Sequence, residues 1–262
     1  MKYFIVILFF CPLSAFTQLR SAKSRLTGSG LKGKVKQLTD YFYDSEEALK
    51  EKHPSIKNIT LFDNNGREIE DVEIKGQKTT KTFYRYLGRQ VIDTTYSDGQ
   101  FFETGIEISD TADHLVELDL EINNPDMPAG FGHFKDKTIF KYDNKGNQIE
   151  ASTYDEQGKL TIKRNLIYNN KNQVVEGDDE SYRLGGIQTM KTLQSYNGSG
   201  LKIKESGYEN DKLTHEGSIS YDNFDKDGNW LFSTTDSKYH SDVVYKDKTS
   251  KSITIREIIY FQ

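Results

Sequence analysis

The sequence predicts an all-β protein, an antiparallel meander of hairpins that forms one elongated, twisted or curled open sheet with little helix. A phrase consisting of an aromatic residue, Asp or Asn, two polar residues and usually Gly recurs along the chain, as in residues 142–146 and 154–158. The chain is rich in Tyr and Phe, which suit strands. Its hydrophobic content is only 35%, which suits a sheet with much wet surface.

The phrase recurs with a regular period. The spacings between successive strand-ending tyrosines are 12, 14, 14, 14 and 12 residues, at Tyr142, Tyr154, Tyr168, Tyr182, Tyr196 and Tyr208. A strand of about 5–6 residues plus its turn is close to this period, so each unit is predicted to be one strand and one turn. Extended over the chain, this spacing predicts roughly 14 to 18 strands.

The turn within each unit follows from its chemistry. Asp or Asn at the first turn position bonds the backbone ahead of it, and Gly at the fourth accepts a positive φ. This pattern predicts a hairpin loop with a bulge at Gly, and Asn172 can replace Gly because Asn tolerates the left-handed conformation. The face of each aromatic stays open, because a slip of one residue turns every side chain over. Tyr142 lies opposite Gln148 in one register, and Phe140 lies opposite Ile149 in the other.

The chain divides into three predicted segments. Residues 1–17 resemble a secretory signal peptide, with a positive start, an apolar run over 3–10 and a cleavage position before Gln18. Residues 18–30 are predicted to be a flexible linker. Residues 31–262 form the predicted β-repeat domain, whose clearest repeats lie at 134–230. We therefore expect an exported protein that is periplasmic, on the cell surface or secreted, with no membrane span after signal removal.

The cysteine content limits the chemistry. Cys11 is the only cysteine of the 262 residues. Lipidation at Cys11 is disfavoured because the bulky residues 8–10 precede it. Signal cleavage would leave a mature chain without cysteine, which excludes disulfides, thiolate nucleophiles and Cys-ligated zinc.

Three local features depart from the repeat. Asp44 and Glu47 have capping-box spacing and predict one short helix, which Pro54 stops soon afterwards. The loop at 123–133 is long and irregular, so it is either a crossover or the place of a grafted binding function. The strand at 252–261 is apolar enough that it must be paired or covered.

Several classes of function lack support. The net charge is −5 and both signs are interspersed, so nucleic acid is not expected as a partner. No HExxH, P-loop, GxSxG or dinucleotide fingerprint occurs, and no metal or cofactor is predicted. The calcium-like stretch at 223–228 has Thr234 where such a loop needs Glu. Among the histidines, His133 is the best candidate for a functional role, because it lies in the irregular loop near Asp126.

The repeated units resemble the YD repeats of Rhs-type bacterial surface and toxin proteins, in the small secreted form. The best matches are residues 142–149, 154–160 and 224–230. This resemblance implies antiparallel β-structure and roles in carbohydrate binding. The large members enclose a hollow shell, whereas this chain has too few copies to enclose anything.

These observations favour an exported, non-enzymatic envelope protein that binds a partner protein or a polysaccharide through its sheet face or the 123–133 loop. The candidate binding residues are Tyr142, Tyr154, Phe131 and His133, and no catalytic residue is assigned. One alternative is a glycan-active hydrolase that uses an Asp/Glu pair. The other is a structural spacer without a ligand. An exposed aromatic stripe would favour binding, and convergent carboxylates in a deep pocket would favour the hydrolase.

Overall fold

The computed structural model describes residues 31–123, 132–183, 186–240 and 248–262. The predicted signal peptide, the linker and Phe131 lie outside these described residues. The described part contains sixteen strands and one short helix, α1 (Glu46–Lys50). The strands in chain order are β1 (Val35–Tyr43), β2 (Ile56–Phe62), β3 (Glu68–Lys75), β4 (Lys78–Leu87), β5 (Gln90–Ser97), β6 (Gln100–Ser109), β7 (Leu115–Asn123), β8 (His133–Tyr142), β9 (Gln148–Asp155), β10 (Leu160–Tyr168), β11 (Val174–Arg183), β12 (Gly186–Tyr196), β13 (Lys202–Glu209), β14 (Lys212–Phe224), β15 (Trp230–Tyr239) and β16 (Lys248–Tyr260).

The strands close into a barrel. Each strand pairs antiparallel with its sequence neighbours, and β16 pairs with β1 from Val35–Tyr260 to Tyr43–Ile253. The predicted open sheet is therefore wrong, although the all-β class is confirmed. Closure removes the two edges at which an open sheet would leave N–H and C=O groups unpaired. The apolar last strand, which had to be paired, forms one side of this seam.

A compact core and one ion pair hold the seam. Arg256 on β16 donates from Nε and Nη2 to the two carboxylate oxygens of Asp40 on β1, at 2.8 and 2.9 Å. Its guanidinium lies 3.7 Å from the centre of the Trp230 ring. The apolar side chains packed together beside this seam are Leu31, Val35, Leu38, Phe62, Ile258 and Tyr260.

The two faces of the wall differ in crowding. On β5, every second side chain is buried while Tyr96 between them is exposed; the buried residues are Val91, Asp93, Thr95 and Ser97. A concave wall crowds its side chains and a convex wall separates them, so this buried set marks the inner face. The pairing registers carry the same alternation from strand to strand, which defines an inner and an outer face for the barrel.

The turns have the predicted chemistry. Asp143 accepts from the N–H groups of Lys145 and Asn147 at 2.8 and 2.9 Å, and Gly146 has φ +81°. Asn172 takes the glycine position of its own turn with φ +57°. The register left open by the sequence is resolved, because Tyr142 lies opposite Gln148.

Four tyrosines of the inner face each tie a hairpin together. Each lies near the end of an even-numbered strand and donates its hydroxyl to the carbonyl oxygen of the first residue of the preceding strand. The pairs are Tyr86–Glu68 (2.9 Å), Tyr142–Leu115 (2.6 Å), Tyr196–Val174 (2.8 Å) and Tyr221–Lys202 (2.9 Å). The hydroxyl thus satisfies a backbone acceptor that lies at a strand end.

The short helix α1 begins one residue later than predicted. Its N-cap is Ser45, whose hydroxyl accepts from the N–H of Ala48 at 3.1 Å. The predicted cap, Asp44, instead accepts from the hydroxyl of Ser55 at 3.0 Å. The helix packs against β1 and β16, and Glu46 pairs with Lys251 at 2.7 Å.

Candidate functional site

Three exposed aromatic rings form a row on the outer face. Phe83 of β4, Tyr96 of β5 and Phe101 of β6 are 43%, 37% and 39% exposed. The ring centres of Phe83 and Tyr96 are 6.3 Å apart, and so are those of Tyr96 and Phe101. Both pairs meet edge to face, at 68° and 78°. We call these three residues the aromatic strip.

A tight turn positions two rings of the aromatic strip. Ser97 pairs with Gln100, so only two residues connect β5 to β6. Those two residues, Asp98 and Gly99, have φ +49° and +80°, as a type I′ turn requires. Tyr96 and Phe101 are therefore held directly opposite each other, just before and after the turn.

Polar groups border the aromatic strip. Lys81 and Arg85 lie two residues before and after Phe83 on the same face of β4, and both are exposed. The Thr94 and Thr104 hydroxyls lie 3.3 Å apart on the neighbouring strands. Phe83 lies opposite Thr94, so these hydroxyls adjoin its ring. The site thus combines flat apolar rings with hydrogen-bonding groups at their edges.

Tyr142 lies on the inner face and is a structural part of the wall. Its hydroxyl is bonded to the Leu115 carbonyl, and its ring stacks on His114 with the centres 4.6 Å apart. Burial raises the pKa of Tyr142 well above that of a free tyrosine. A binding role for Tyr142, as for the other predicted residues, stays a prediction.

Tyr154 and His133 lie apart from Tyr142. Tyr154 lies opposite Lys137, on the outer face at the far end of β9. His133 is the exposed first residue of β8, with its Nε2 3.8 Å from an oxygen of Glu121. A binding role for Tyr154 and His133 stays a prediction.

The inner wall carries buried carboxylates. Asp93 and Glu107 are only 6% and 4% exposed. A Cβ atom at Gly105 would lie 2.5 Å from an Asp93 oxygen, so the missing side chain provides the space for that carboxylate. Tyr84, opposite Asp93, donates to Asp71 at 2.7 Å. A substrate has no access to carboxylates this deeply packed.

A more open carboxylate pair lies on β8 and β9. Asp136 and Asp155 are direct cross-strand partners. Burial, and then the charge of Asp155, raise the pKa of Asp136. Asp155 itself accepts from the N–H groups of Gln157 and Lys159, at 3.1 and 2.9 Å, within its turn. Asp155 therefore has the same turn-forming role as Asp143, which accounts for its presence without catalysis.

Two further properties concern metals and membranes. Within the described residues, no group of three or more His, Cys, Asp or Glu side chains is arranged to hold a metal ion. The same part of the chain contains no helix that is long and apolar enough to cross a membrane.

Solved structures with the same fold exist, whereas no protein-family model and no curated protein matches the chain. A porin-like protein from Bacteroides uniformis has a TM-score of 0.54 and 9% identity, over 86% of this chain and 96% of that one. A porin-like protein from Bacteroides vulgatus has a TM-score of 0.53 and 11% identity, over 88% and 99%. At these identities the similarity to the two porin-like proteins shows a shared fold alone.

A toxin-related structure is also similar over part of its length. The complex TcdB2–TccC3–Cdc42 matches 74% of this chain but 15% of that chain, at 12% identity and a TM-score of 0.18. A TM-score of 0.18 does not show a shared fold, so the YD-repeat resemblance stays a prediction.

Proposed function

We propose that the protein is an exported cell-envelope protein that binds a polysaccharide through the aromatic strip. The exposed row of Phe83, Tyr96 and Phe101 is the observation that supports this function. The envelope assignment rests on the signal-like N-terminus and on the porin-like fold of the similar structures. The proposed role is binding without catalysis.

The geometry of the strip suits an extended saccharide. A sugar ring has an apolar face that stacks on an aromatic ring and hydroxyls that need hydrogen-bond partners at the rim. The three rings lie on three successive strands, so a chain of sugar units can lie across the strands. Along that path Thr94, Thr104, Lys81 and Arg85 offer hydroxyls and cationic donors.

Binding to a glycan array, followed by calorimetric titration of the best glycan, tests this proposal. We expect Phe83→Ala and Tyr96→Ala each to weaken binding about tenfold, because each removes roughly 1.5 kcal/mol of apolar contact. Ile187→Ala is the matched control, since Ile187 is 59% exposed on β12, away from the strip. Circular dichroism of each variant checks that the barrel is still folded.

Two outcomes would contradict the proposal. One is the absence of binding to any glycan by the folded protein. The other is equal affinity of the wild type, Phe83→Ala and Tyr96→Ala for the glycan that binds. A protein recovered by pull-down that competes at the strip would instead favour a protein partner.

A further inference from the structure

We infer that the barrel wall faces water and does not span a bilayer, although the fold is shared with porin-like proteins. A lipid-spanning barrel needs an apolar band around its whole circumference, about 25 Å tall. The aqueous surroundings of the barrel do not depend on whether the aromatic strip binds a glycan.

The charges on β7 lie on the outer face by register. Asp119 lies opposite Ile106, which in turn lies opposite Ile92. Ile92 alternates along β5 with the buried inner residues Val91 and Asp93. Asp119 is also the middle residue of β7, so its carboxylate lies at mid-height of the wall.

An ion-pair ladder joins β7 to β8 at this height. Lys137 Nζ lies 2.8 Å from Glu117 and 3.3 Å from Asp119. Lys135 Nζ lies 3.0 Å from Glu121. The hydrogen bond that Lys137 donates to Glu117, and then the one to Asp119, raise the pKa of Lys137, so the ammonium keeps its charge at neutral pH.

The charged surface continues over the next four strands. Glu150 on β9 pairs with Lys141 at 2.6 Å and with Lys163 at 3.4 Å. On β11 and β12, Lys191 lies 2.9 Å from Glu176 and 3.5 Å from Asp178. Lipid would have to cover these ion pairs, which have no counterpart in an apolar band.

Ion pairs also interrupt the inner face. Arg164 and Asp179 form a two-point ion pair on the inner face, and Arg256 and Asp40 form another. Charges therefore occupy both faces of the wall, so the conclusion does not depend on which face is turned outward. The aromatic strip is then a local patch rather than a segment of a lipid-facing belt.

Cysteine labelling of the full chain tests the inference. In a Cys11→Ser background, Lys137→Cys and Lys191→Cys place one thiol each at mid-height of the outer wall, and Asn144→Cys places one in an exposed turn as the control. The chains are labelled with a bulky, water-soluble maleimide in the membrane or soluble fraction where they are found. Loss of one exposed ion pair should not unfold the protein.

For a wall in water, both mid-height cysteines label within about threefold of the rate of the Asn144→Cys turn, with or without detergent. A rate at least about tenfold slower at both positions, restored by detergent, would overturn the inference. An anchor at the N-terminus would not disguise the result, because labelling reports on the wall itself.

Discussion

Replacing Arg256 by Leu tests the closure of the barrel at the β1–β16 seam. Arg256 makes two hydrogen bonds to Asp40, and the two side chains are only 10% and 14% exposed. The substitution leaves the Asp40 carboxylate buried without its counter-charge and removes the cation from the Trp230 ring. Leaving such a charge unpaired costs about 3 to 5 kcal/mol in the free energy of unfolding.

Equilibrium urea unfolding, followed by far-UV circular dichroism, measures this loss. Lys251→Gln is the matched control, because its ion pair with Glu46 is 45% and 54% exposed, and it should cost less than about 1 kcal/mol. The double variant Asp40→Leu/Arg256→Leu should recover part of the loss, since two apolar side chains leave no unpaired charge. If Arg256→Leu costs no more than Lys251→Gln, the buried seam pair is not what stabilises closure.

Three further predictions concern the inner face, and urea unfolding or thermal melts check each of them. Tyr142→Phe should lower the free energy of unfolding by about 1 kcal/mol, because it removes one hydrogen bond and keeps the ring. An unchanged free energy of unfolding would mean that the hydroxyl does not stabilise the hairpin. The neighbouring imidazole of His215 holds the pKa of Glu205 at about 2. Because this pKa is lowered on folding, the group stabilises the fold above about pH 4.5, and the advantage of the wild type over Glu205→Gln should vanish towards pH 2. Gly207→Ala should lower the free energy of unfolding by about 2 kcal/mol, because the new Cβ would lie 2.0 Å from the His215 ring. Gly217→Ala, whose new Cβ has its nearest neighbour at 3.7 Å, should be nearly neutral. Equal melting temperatures for the two variants would contradict this packing.

The turns could be predicted from the sequence because they are local. Asp143 and Gly146 interact within five residues of chain, so their chemistry alone specifies the bonds that the structure contains. The same applies to Asn172, whose positive φ follows from its place in the phrase. The strand count follows too, because one turn of this kind implies one strand on each side.

Closure could not be predicted, because it depends on partners far apart in the chain. The spacing of the repeats does not predict that Asp40 contacts Arg256, because these two residues are 216 positions apart in the chain. The apolar composition of β16 required a partner strand but did not identify it. Twist accumulated over sixteen strands brings the first and last strands together.

The aromatic strip was missed because sequence pattern does not reveal which face a side chain occupies. Tyr142 and Tyr96 both precede a turn that contains Asp and Gly, yet Tyr142 lies on the inner face and Tyr96 lies on the outer face. One signal was present: Asp98–Gly99 between two aromatic residues is the pattern of a two-residue hairpin with paired rings.

The Tyr142 copy of the recurring phrase and the proposed binding surface lie on opposite faces of the wall. In the phrase, five residues separate Tyr142 from Gln148, and the tyrosine turns inward to bond a backbone carbonyl. At the β5–β6 hairpin the loop holds two residues, and Tyr96 and Phe101 face outward. A change of one residue in register moves a side chain to the other face of a strand. Tyr142 thus holds its hairpin together, whereas Tyr154, in another copy of the phrase with a loop of the same length, faces outward. The three rings of the aromatic strip lie outside the phrase.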